Sequence, residues 1–182
     1  MEFIRLLIKI AQILEELKID YCVSGGYAVS VWGRPRSTLD IDIVVKLQVE
    51  VVAGLARKLR FLSKVGYLDE SLAEGAARHG GEFNFIHPES GIKIDFWVIK
   101  KGDKIGEQEL SRRVVKKIDG QKIYFISSED LILSKLRWFK ESGSDRHLDD
   151  IKSVLKFSKI DLKYLKQQAI QRGVWDILSK LY

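Results

Sequence analysis

Proline and cysteine are both scarce in this sequence of 182 residues, which contains two prolines and one cysteine. A single cysteine excludes an intramolecular disulfide framework, and its apolar neighbours Tyr21 and Val23 predict that Cys22 is buried as a small hydrophobic residue. Uncharged apolar runs long enough to span a bilayer are absent, and the N-terminus lacks the basic segment and cleavage site of a signal peptide. We therefore expect a soluble cytoplasmic protein without a membrane partner.

The composition is that of a folded protein with a mildly basic surface. Hydrophobic residues make up 46% of the chain, which is enough for a packed core. Lys and Arg exceed Asp and Glu by 31 to 25, which gives a net charge of +6. Such a charge favours anionic partners such as nucleotides or RNA, although an ordinary solvated basic surface gives the same excess. The length suits one domain, or a core with a modest helical appendage.

The first half of the chain alternates between helical and strand patterns. Apolar residues recur at helical spacing in some segments and alternate strictly with polar residues in others. These patterns predict helices at 3–17, 27–32 and 49–62 and strands at 20–24 and 38–45. Residues 66–81 are glycine-rich and fit neither pattern, so they are predicted to form either a lid over a site or an ordinary helix.

The second half changes from strands to helices. Strands are predicted at 82–86, 92–99 and 122–126, the first two joined by a turn at 87–91. Ser127 and Ser128 then cap a helix with acids in its first turn. The remainder up to Tyr182 is predicted to be helical, with breaks near 142–145, near 158–161 and at Gly173. We predict an α+β fold in which a small mixed β-sheet with flanking helices (1–126) precedes a C-terminal helical region packed on it (127–182).

Two aspartates stand in the interior of the predicted strand at 38–45. Successive side chains of a strand alternate between its faces, so Asp40 and Asp42 project from one face and their apolar neighbours project from the other. Asp95 repeats this pattern in a later strand. Aspartate is a poor strand former, so three aspartates in strand interiors indicate a chemical use for their carboxylates.

The three carboxylates converge on one patch if their strands are neighbours. Two like charges about 4 Å apart repel by roughly 4 kcal/mol at an effective dielectric constant near 20, so the cluster requires a cation or the protonation of some members. All-oxygen ligands suit Mg²⁺ or Mn²⁺ better than zinc, and two such ions can bind a triphosphate and activate an attacking hydroxyl. The alternative is a set of solvated aspartates on the open face of a sheet.

A pair of glycines lies where the strand at 20–24 ends and the next helix begins. Gly25 and Gly26 let the backbone approach a phosphate closely, and the helix N-terminus supplies unpaired N–H groups and the positive end of the dipole. A tight strand-to-helix turn without a ligand would use the same residues. The pair gains significance because it lies just ahead of the two aspartates.

Together these features resemble the signature of the polymerase-β-like nucleotidyltransferase superfamily. The matching segments are Ser24-Gly25-Gly26-Tyr27-Ala28-Val29, Arg36-Ser37-Thr38-Leu39-Asp40-Ile41-Asp42-Ile43-Val44 and Asp95. Gly-Gly-x-Ala with Arg-x-Thr before the Asp pair resembles the minimal bacterial and archaeal branch, which includes abortive-infection toxins and small aminoglycoside or lincosamide nucleotidyltransferases. The helical half is similar to this branch at 128–136 and 146–151.

The resemblance implies roles for eight residues. It implies a catalytic and metal-binding set of three carboxylates, Asp40, Asp42 and Asp95. It implies a nucleotide-binding set around the triphosphate of an NTP donor, Ser24, Gly25, Gly26, Arg36 and Lys135. The metal would be Mg²⁺ or Mn²⁺, Asp95 would also help to activate the acceptor hydroxyl, and the lysine would act as a point charge on phosphate.

Another acidic pair receives no catalytic role. Asp149 and Asp150 are predicted to open a helix, where the dipole stabilises acids, and Arg146 and Asp150 form an ordinary i,i+4 pair. The three histidines show no metal-ligand spacing.

The leading hypothesis is a Mg²⁺-dependent nucleotidyltransferase that moves a nucleoside monophosphate from an NTP to tRNA, a protein side chain or a small hydroxylated molecule. The resemblance also implies a possible protein partner in a toxin–antitoxin pair. A catalytically silent nucleotide-binding or antitoxin-type module of the same fold is the second hypothesis. A metal-dependent nuclease is the third, although the order Lys93-Ile94-Asp95 reverses the common nuclease pattern and leaves the glycine pair unexplained.

Overall fold

The computed structural model describes residues 2–181, and the predicted helical character of Tyr182 lies outside that range. The helices are α1 (Glu2–Glu16), α2 (Gly25–Trp32), α3 (Val49–Leu62), α4 (Glu70–His79), α5 (Lys104–Ser111), α6 (Ser128–Ser142), α7 (Asp145–Phe157), α8 (Leu162–Gln171) and α9 (Trp175–Leu178). The strands are β1 (Asp20–Val23), β2 (Asp40–Lys46), β3 (Tyr67–Leu68), β4 (Gly81–His87), β5 (Ile92–Val98), β6 (Val114–Ile118) and β7 (Gln121–Phe125). The predicted α+β class is confirmed.

The strands form one mixed sheet in the order β3-β4-β5-β2-β1-β7-β6. β2 pairs in parallel with β5, and β1 pairs in parallel with β7, while the other pairs are antiparallel. The register places Asp42 directly opposite Asp95 and Asp40 opposite Lys93. The strands that carry the three aspartates are therefore neighbours, and paired residues of a ladder project from the same face.

One face of these central strands is wholly apolar. Ile41 and Ile43 of β2 and Ile94 and Phe96 of β5 have no exposed surface, and they join the same core as the leucines and isoleucines of α1 and α3. Cys22 is likewise fully buried, as predicted. Within residues 2–181, no helix has the length and apolarity needed to cross a membrane. With one face committed to the core, the aspartates have only the opposite face available.

The segment at 66–81, for which the sequence allowed either a lid or a helix, forms regular secondary structure. Residues 66–81 contain the short strand β3 and helix α4, whose N-cap Asp69 accepts a hydrogen bond from the backbone N–H of Leu72. α4 packs against α3 and β4, so the helix alternative is correct.

Besides the short strand β3, two elements had no counterpart in the sequence prediction, α5 and β6. Local signals for both exist. Asp103 caps α5 by accepting from the N–H groups of Ile105 and Gly106. Asp119 and Gly120 join β6 to β7 with φ angles of +46° and +81°, and Asp-Gly is a strong signal for a two-residue hairpin turn.

A buried ion network joins α6 to α8 and to the end of α5. Asp130 of α6 has no exposed surface and accepts hydrogen bonds from Ser127 Oγ at 2.7 Å, Arg112 Nε at 3.2 Å and Tyr164 Oη at 2.7 Å. Ser127 also caps α6, as predicted, by accepting from the Asp130 N–H. A division of the chain at residue 126 stays a prediction.

Asp130→Ala should lower the free energy of unfolding by about 3–5 kcal/mol, because it leaves the Arg112 guanidinium without its most deeply buried partner. Urea denaturation measures the change. Glu141→Ala, at an exposed position near the end of the same helix, should change stability by less than about 0.5 kcal/mol. Equal losses of stability in the two variants would contradict a stabilising role for the buried ion network around Asp130.

Candidate active site

A cavity of about 480 Å³ lies over the polar face of the sheet. α5, α6 and α7 contribute its other walls. Seven of the eight predicted site residues line it: Ser24, Gly25, Gly26, Arg36, Asp40, Asp42 and Lys135. The eighth, Asp95, is 4% exposed, stands opposite Asp42 in the pairing of β2 with β5, and does not itself line the cavity. The fold thus brings together residues that are up to 111 positions apart in the sequence.

The carboxylates form the sheet side of the cavity. Asp40 and Asp42 are half-buried and alternate with fully buried isoleucines along β2. Burial, and then the neighbouring charge of Asp95, raise the pKa of Asp42 above its ordinary value, while the Trp97 indole opposes this effect. The site therefore favours a positive charge or a proton at Asp42.

Asp95 is held by a neighbouring lysine. Lys93 Nζ lies 2.8 Å from Asp95 Oδ2, and this carboxylate raises the pKa of Lys93 through its hydrogen bond. The other oxygen, Asp95 Oδ1, is buried and accepts no hydrogen bond from any described residue. A buried carboxylate oxygen without a partner is costly, so a ligand at this position would be stabilising.

The donor set fits a hard divalent cation only in part. No group of three or more His, Cys, Asp or Glu side chains among residues 2–181 is arranged to hold a metal ion. Mg²⁺, however, is usually bound by one or two carboxylates together with substrate phosphates. Asp40 and Asp42 supply two carboxylates on one face, and the orphaned Asp95 Oδ1 adds an acceptor next to them. These residues therefore fit a metal that arrives with its nucleotide.

The glycine pair begins α2 against the Asp pair. Gly25 has a φ of +60°, and a Cβ at this position would lie 1.8 Å from Asp42 Oδ2. The backbone N–H of Ser24 donates to the Asp42 carbonyl at 2.8 Å and ties the turn to β2. The first N–H groups of a helix have no intrahelical acceptor, so the start of α2 presents donors beside the aspartates.

The cations of the cavity converge on one carboxylate of α7. Arg36 binds Asp150 through two hydrogen bonds, Nε to Oδ1 at 2.8 Å and Nη2 to Oδ2 at 3.0 Å, and Lys135 Nζ lies 2.9 Å from Asp150 Oδ2. Asp150 is 3% exposed, and these partners lower its pKa against the effect of burial. Two cations share one anion, so a net positive charge remains for a ligand.

The prediction that Asp149 and Asp150 open a helix, with Asp150 paired to Arg146, was wrong. α7 begins at Asp145, which places Asp150 in its second turn, beyond the range in which the dipole stabilises an acid. Its charge partners in the described part of the chain are Arg36 and Lys135 rather than Arg146. Arg36 is 114 positions away, so no local sequence pattern could have revealed the contact.

The cavity is also lined by aromatic rings and by a buried acid. Trp97 and Trp138 meet edge to face with ring centroids 5.7 Å apart. Glu109 of α5 lies nearby, and burial raises its pKa from 4.5 to about 7 despite the charge of Arg172. His147 also lines the cavity, and burial followed by the Lys135 charge lowers its pKa. None of these four lining residues was predicted as part of the site.

Gly25→Ala should weaken nucleotide binding, since the added Cβ must displace Asp42 and the positive φ is strained for alanine by about 1–2 kcal/mol. Titration with a fluorescent NTP analogue in Mg²⁺ measures binding, and thermal unfolding measures stability. Gly75→Ala is the matched control, because it lies in α4 with no atom near the new Cβ and should stabilise by about 0.5–1 kcal/mol. An unchanged nucleotide affinity in Gly25→Ala would contradict a close approach of phosphate to the backbone at Gly25.

Glu109→Gln should flatten the dependence of stability on pH. The pKa of Glu109 is raised in the folded state, so its contribution is fully present below about pH 4.5 and is lost as the pH rises through about 7. As the pH rises from about 4.5 to about 7, the free energy of unfolding of the glutamine variant should therefore increase by on the order of 3 kcal/mol relative to that of the wild type. Urea denaturation across this pH range tests it, with exposed Glu107→Gln as control. If the free energies of unfolding of the Glu109 variant and the wild type change with pH in the same way, the raised pKa of Glu109 is contradicted.

Solved structures share this fold at low sequence identity. ANT(2″)-Ia in complex with adenylyl-2″-tobramycin is 14% identical, with a TM-score of 0.62 over 98% of this chain and 99% of that one. The lincosamide antibiotic adenylyltransferase LnuA, lincomycin-bound, is 19% identical, with a TM-score of 0.54 over 81% and 92%. An antigenic nucleotidyltransferase-like protein from Paracoccidioides brasiliensis is 18% identical, with a TM-score of 0.54 over 98% and 91%.

The sequence itself matches one protein family over nearly its whole length. The comparison with curated proteins gave no significant match. Residues 4–173 match DUF2204, a family described as nucleotidyl transferases of unknown function. That range includes every predicted site residue, and the neighbours agree with the polymerase-β-like fold that the motifs resemble. The chain therefore belongs to this family of nucleotidyl transferases.

Proposed function

We propose that this nucleotidyl transferase moves a nucleoside monophosphate from an NTP to a hydroxyl group in a Mg²⁺-dependent reaction. One observation carries the proposal. Asp40 and Asp42 face the same cavity as the cations Arg36 and Lys135 and the N-terminus of α2. Carboxylates suited to a metal and donors suited to phosphate thus lie together, as phosphoryl transfer by positioning and electrostatics requires.

The positive wall would hold the triphosphate. The N–H groups at the start of α2 are donors for phosphate oxygens, and the absence of a side chain at Gly25 and Gly26 permits a close approach. Lys135 and Arg36 would neutralise charge that builds up on the leaving pyrophosphate. Asp150 positions both side chains, so neither has to be ordered when the nucleotide binds.

The carboxylate wall would hold the metal and the acceptor. Asp40 and Asp42 would be its protein ligands, and when bound the metal supplies Lewis-acid stabilisation of phosphoryl oxygens. Asp95 Oδ1 is the buried acceptor next to them and would receive a hydrogen bond from the attacking hydroxyl. Lys93 fixes the other oxygen and thereby orients the carboxylate.

The reaction forms one bond and breaks one. The acceptor oxygen attacks the α-phosphorus in line, and the bond from that phosphorus to the oxygen bridging the β-phosphate breaks. Pyrophosphate leaves from the side of Lys135 and Arg36, while the hydroxyl proton passes to a carboxylate or to solvent. Because catalysis of this kind is mostly positioning, small displacements of Asp42 should have large effects on rate.

Three classes of acceptor suit the proposed reaction. ANT(2″)-Ia was solved with adenylyl-2″-tobramycin and LnuA with lincomycin, but identities of 14% and 19% support the fold alone. Small molecules, tRNA and proteins are therefore all candidate acceptors. A toxin–antitoxin partner stays a prediction from the resemblance.

A catalytically silent nucleotide-binding module is the second candidate. The Lys93–Asp95 ion pair favours it, because a third carboxylate already neutralised by an ammonium is less available to the reaction. The two candidates differ in one outcome, since both bind Mg²⁺–NTP but only the enzyme releases pyrophosphate.

Asp42→Asn should reduce nucleotide transfer by at least about a hundredfold, since loss of a metal ligand removes several kcal/mol of transition-state stabilisation. Incubation with each α-³²P-labelled NTP, Mg²⁺ and pools of RNA, lysate protein and aminoglycosides measures transfer. The fold should survive at neutral pH, because the charged form of this half-buried group is already disfavoured beside Asp95.

Asp145→Asn is the matched control, since Asp145 is an exposed acid at the start of α7. It should retain the wild-type rate. Mg²⁺-dependent NTP binding without any labelled product would support the silent module. A large loss of thermal stability in Asp42→Asn would show that Asp42 is structural.

A further inference from the structure

A second cavity, of about 390 Å³, adjoins the candidate active site. It lies between α7 and the loop that connects α2 to β2. Its polar and aromatic lining includes Arg34, Arg36, Lys152, Ser153, Lys156 and Phe157. Arg36 and Asp150 line both cavities, so the ion pair between them is the shared wall. A ligand in the second cavity would therefore contact the same ion pair that lines the candidate active site.

Positive charge dominates this second cavity. Arg34, Lys152 and Lys156 are exposed, and within residues 2–181 no acid lies within salt-bridge distance of any of them. Two acids also line the cavity, Asp149 and Asp150. The charge of Asp150 is already shared by Arg36 and Lys135, so Asp149 alone stands against the three exposed cations. The three free cations surround an opening that would attract a polyanion.

An exposed aromatic ring stands among these cations. Phe157, the last residue of α7, is 54% exposed. The Arg34 guanidinium carbon lies 5.9 Å and Lys156 Nζ 5.7 Å from its ring centroid. A phenylalanine exposed to this extent leaves apolar surface in water. The two cations lie over its ring, so a flat partner would stack there as these exposed side chains turn towards the partner's own anionic groups.

The loop and helix that form the cavity are held together firmly. The backbone N–H of Arg34 donates to Ser153 Oγ at 2.6 Å, and Ser158 Oγ donates to the Trp32 carbonyl. A Cβ on Gly33 would lie 2.5 Å from Ser153 Oγ, so the backbone packs tightly against α7. The cations and the ring therefore project from a fixed frame.

We propose that this cavity binds a single-stranded polynucleotide. Its phosphates would contact Arg34, Lys152 and Lys156, and a base would stack on Phe157. A positive groove with an exposed aromatic residue is the combination by which single-stranded nucleic acids are bound. This binding surface stands on its own observations and does not depend on the proposed function.

Fluorescence anisotropy with labelled single-stranded RNA and DNA of about 12 nucleotides tests the binding surface. Phe157→Ala should weaken binding by about five- to 150-fold, and Phe157→Trp should restore it, because tryptophan also stacks. The double variant Lys152→Gln/Lys156→Gln should lower the slope of log affinity against log salt by about 1.4, since each phosphate contact contributes about 0.7. Equal affinity for RNA and DNA would indicate that the surface recognises phosphates and base faces. A preference for RNA would indicate that it recognises the 2′-hydroxyl as well.

Lys9→Gln/Lys64→Gln is the matched control, because both lysines are exposed and neither lines a cavity. It should leave the Phe157-dependent binding unchanged. Equal affinity of wild type and Phe157→Ala, or equal binding of polyglutamate and the oligonucleotides, would overturn the proposal in favour of a general basic surface.

Nucleotide binding is a separate readout. Phe157→Ala, Phe157→Trp and Lys152→Gln/Lys156→Gln should all bind Mg²⁺–NTP as the wild type does, because none of the substituted residues lines the candidate active site. Transfer onto a small hydroxylated molecule without oligonucleotide binding would overturn this inference and leave the proposed function standing. Phe157-dependent binding without NTP binding would contradict the proposed function and leave the surface standing.

Discussion

One buried carboxylate connects the helical half of the molecule to its sheet. Asp150 of α7 binds Arg36, from the loop before β2, and Lys135, from α6. Such a carboxylate is stable only while both partners are in place, because removal of either leaves buried charge uncompensated. The same contacts hold the two cations at the active-site cavity and form the wall towards the second cavity. The geometry of both cavities therefore depends on this cluster.

The opposite side of the site obeys a different constraint. The apolar face of β2 and β5 belongs to the core, so Asp40, Asp42 and Asp95 must share the other face. Their mutual repulsion is relieved only in part by Lys93. A nucleotide with its metal would bring cations to the acids and phosphates to the cations, and this complementarity is the physical basis of the proposed function.

The sequence predicted those parts of the site that rest on local patterns. Alternation in β2 placed Asp40 and Asp42 on one face, and Gly25-Gly26 marked the start of α2 correctly. Contacts between distant segments were not predictable in this way. Asp150 was assigned to a helix start. No sequence pattern indicated that Trp97 and Trp138 are in contact. Glu109 lies in α5, a helix that was not predicted. Each acquires its role from tertiary packing, which sequence periodicity does not encode.

The central claim is that one nucleotide bridges the two walls of the cavity. A crystal structure with Mg²⁺ and an NTP analogue whose α–β bridge is a methylene group tests this claim most directly. We expect metal density at Asp40 and Asp42, with the triphosphate at the N-terminus of α2 and beside Lys135. A nucleotide bound elsewhere, or a triphosphate that leaves Asp40 and Asp42 without a metal, would contradict it.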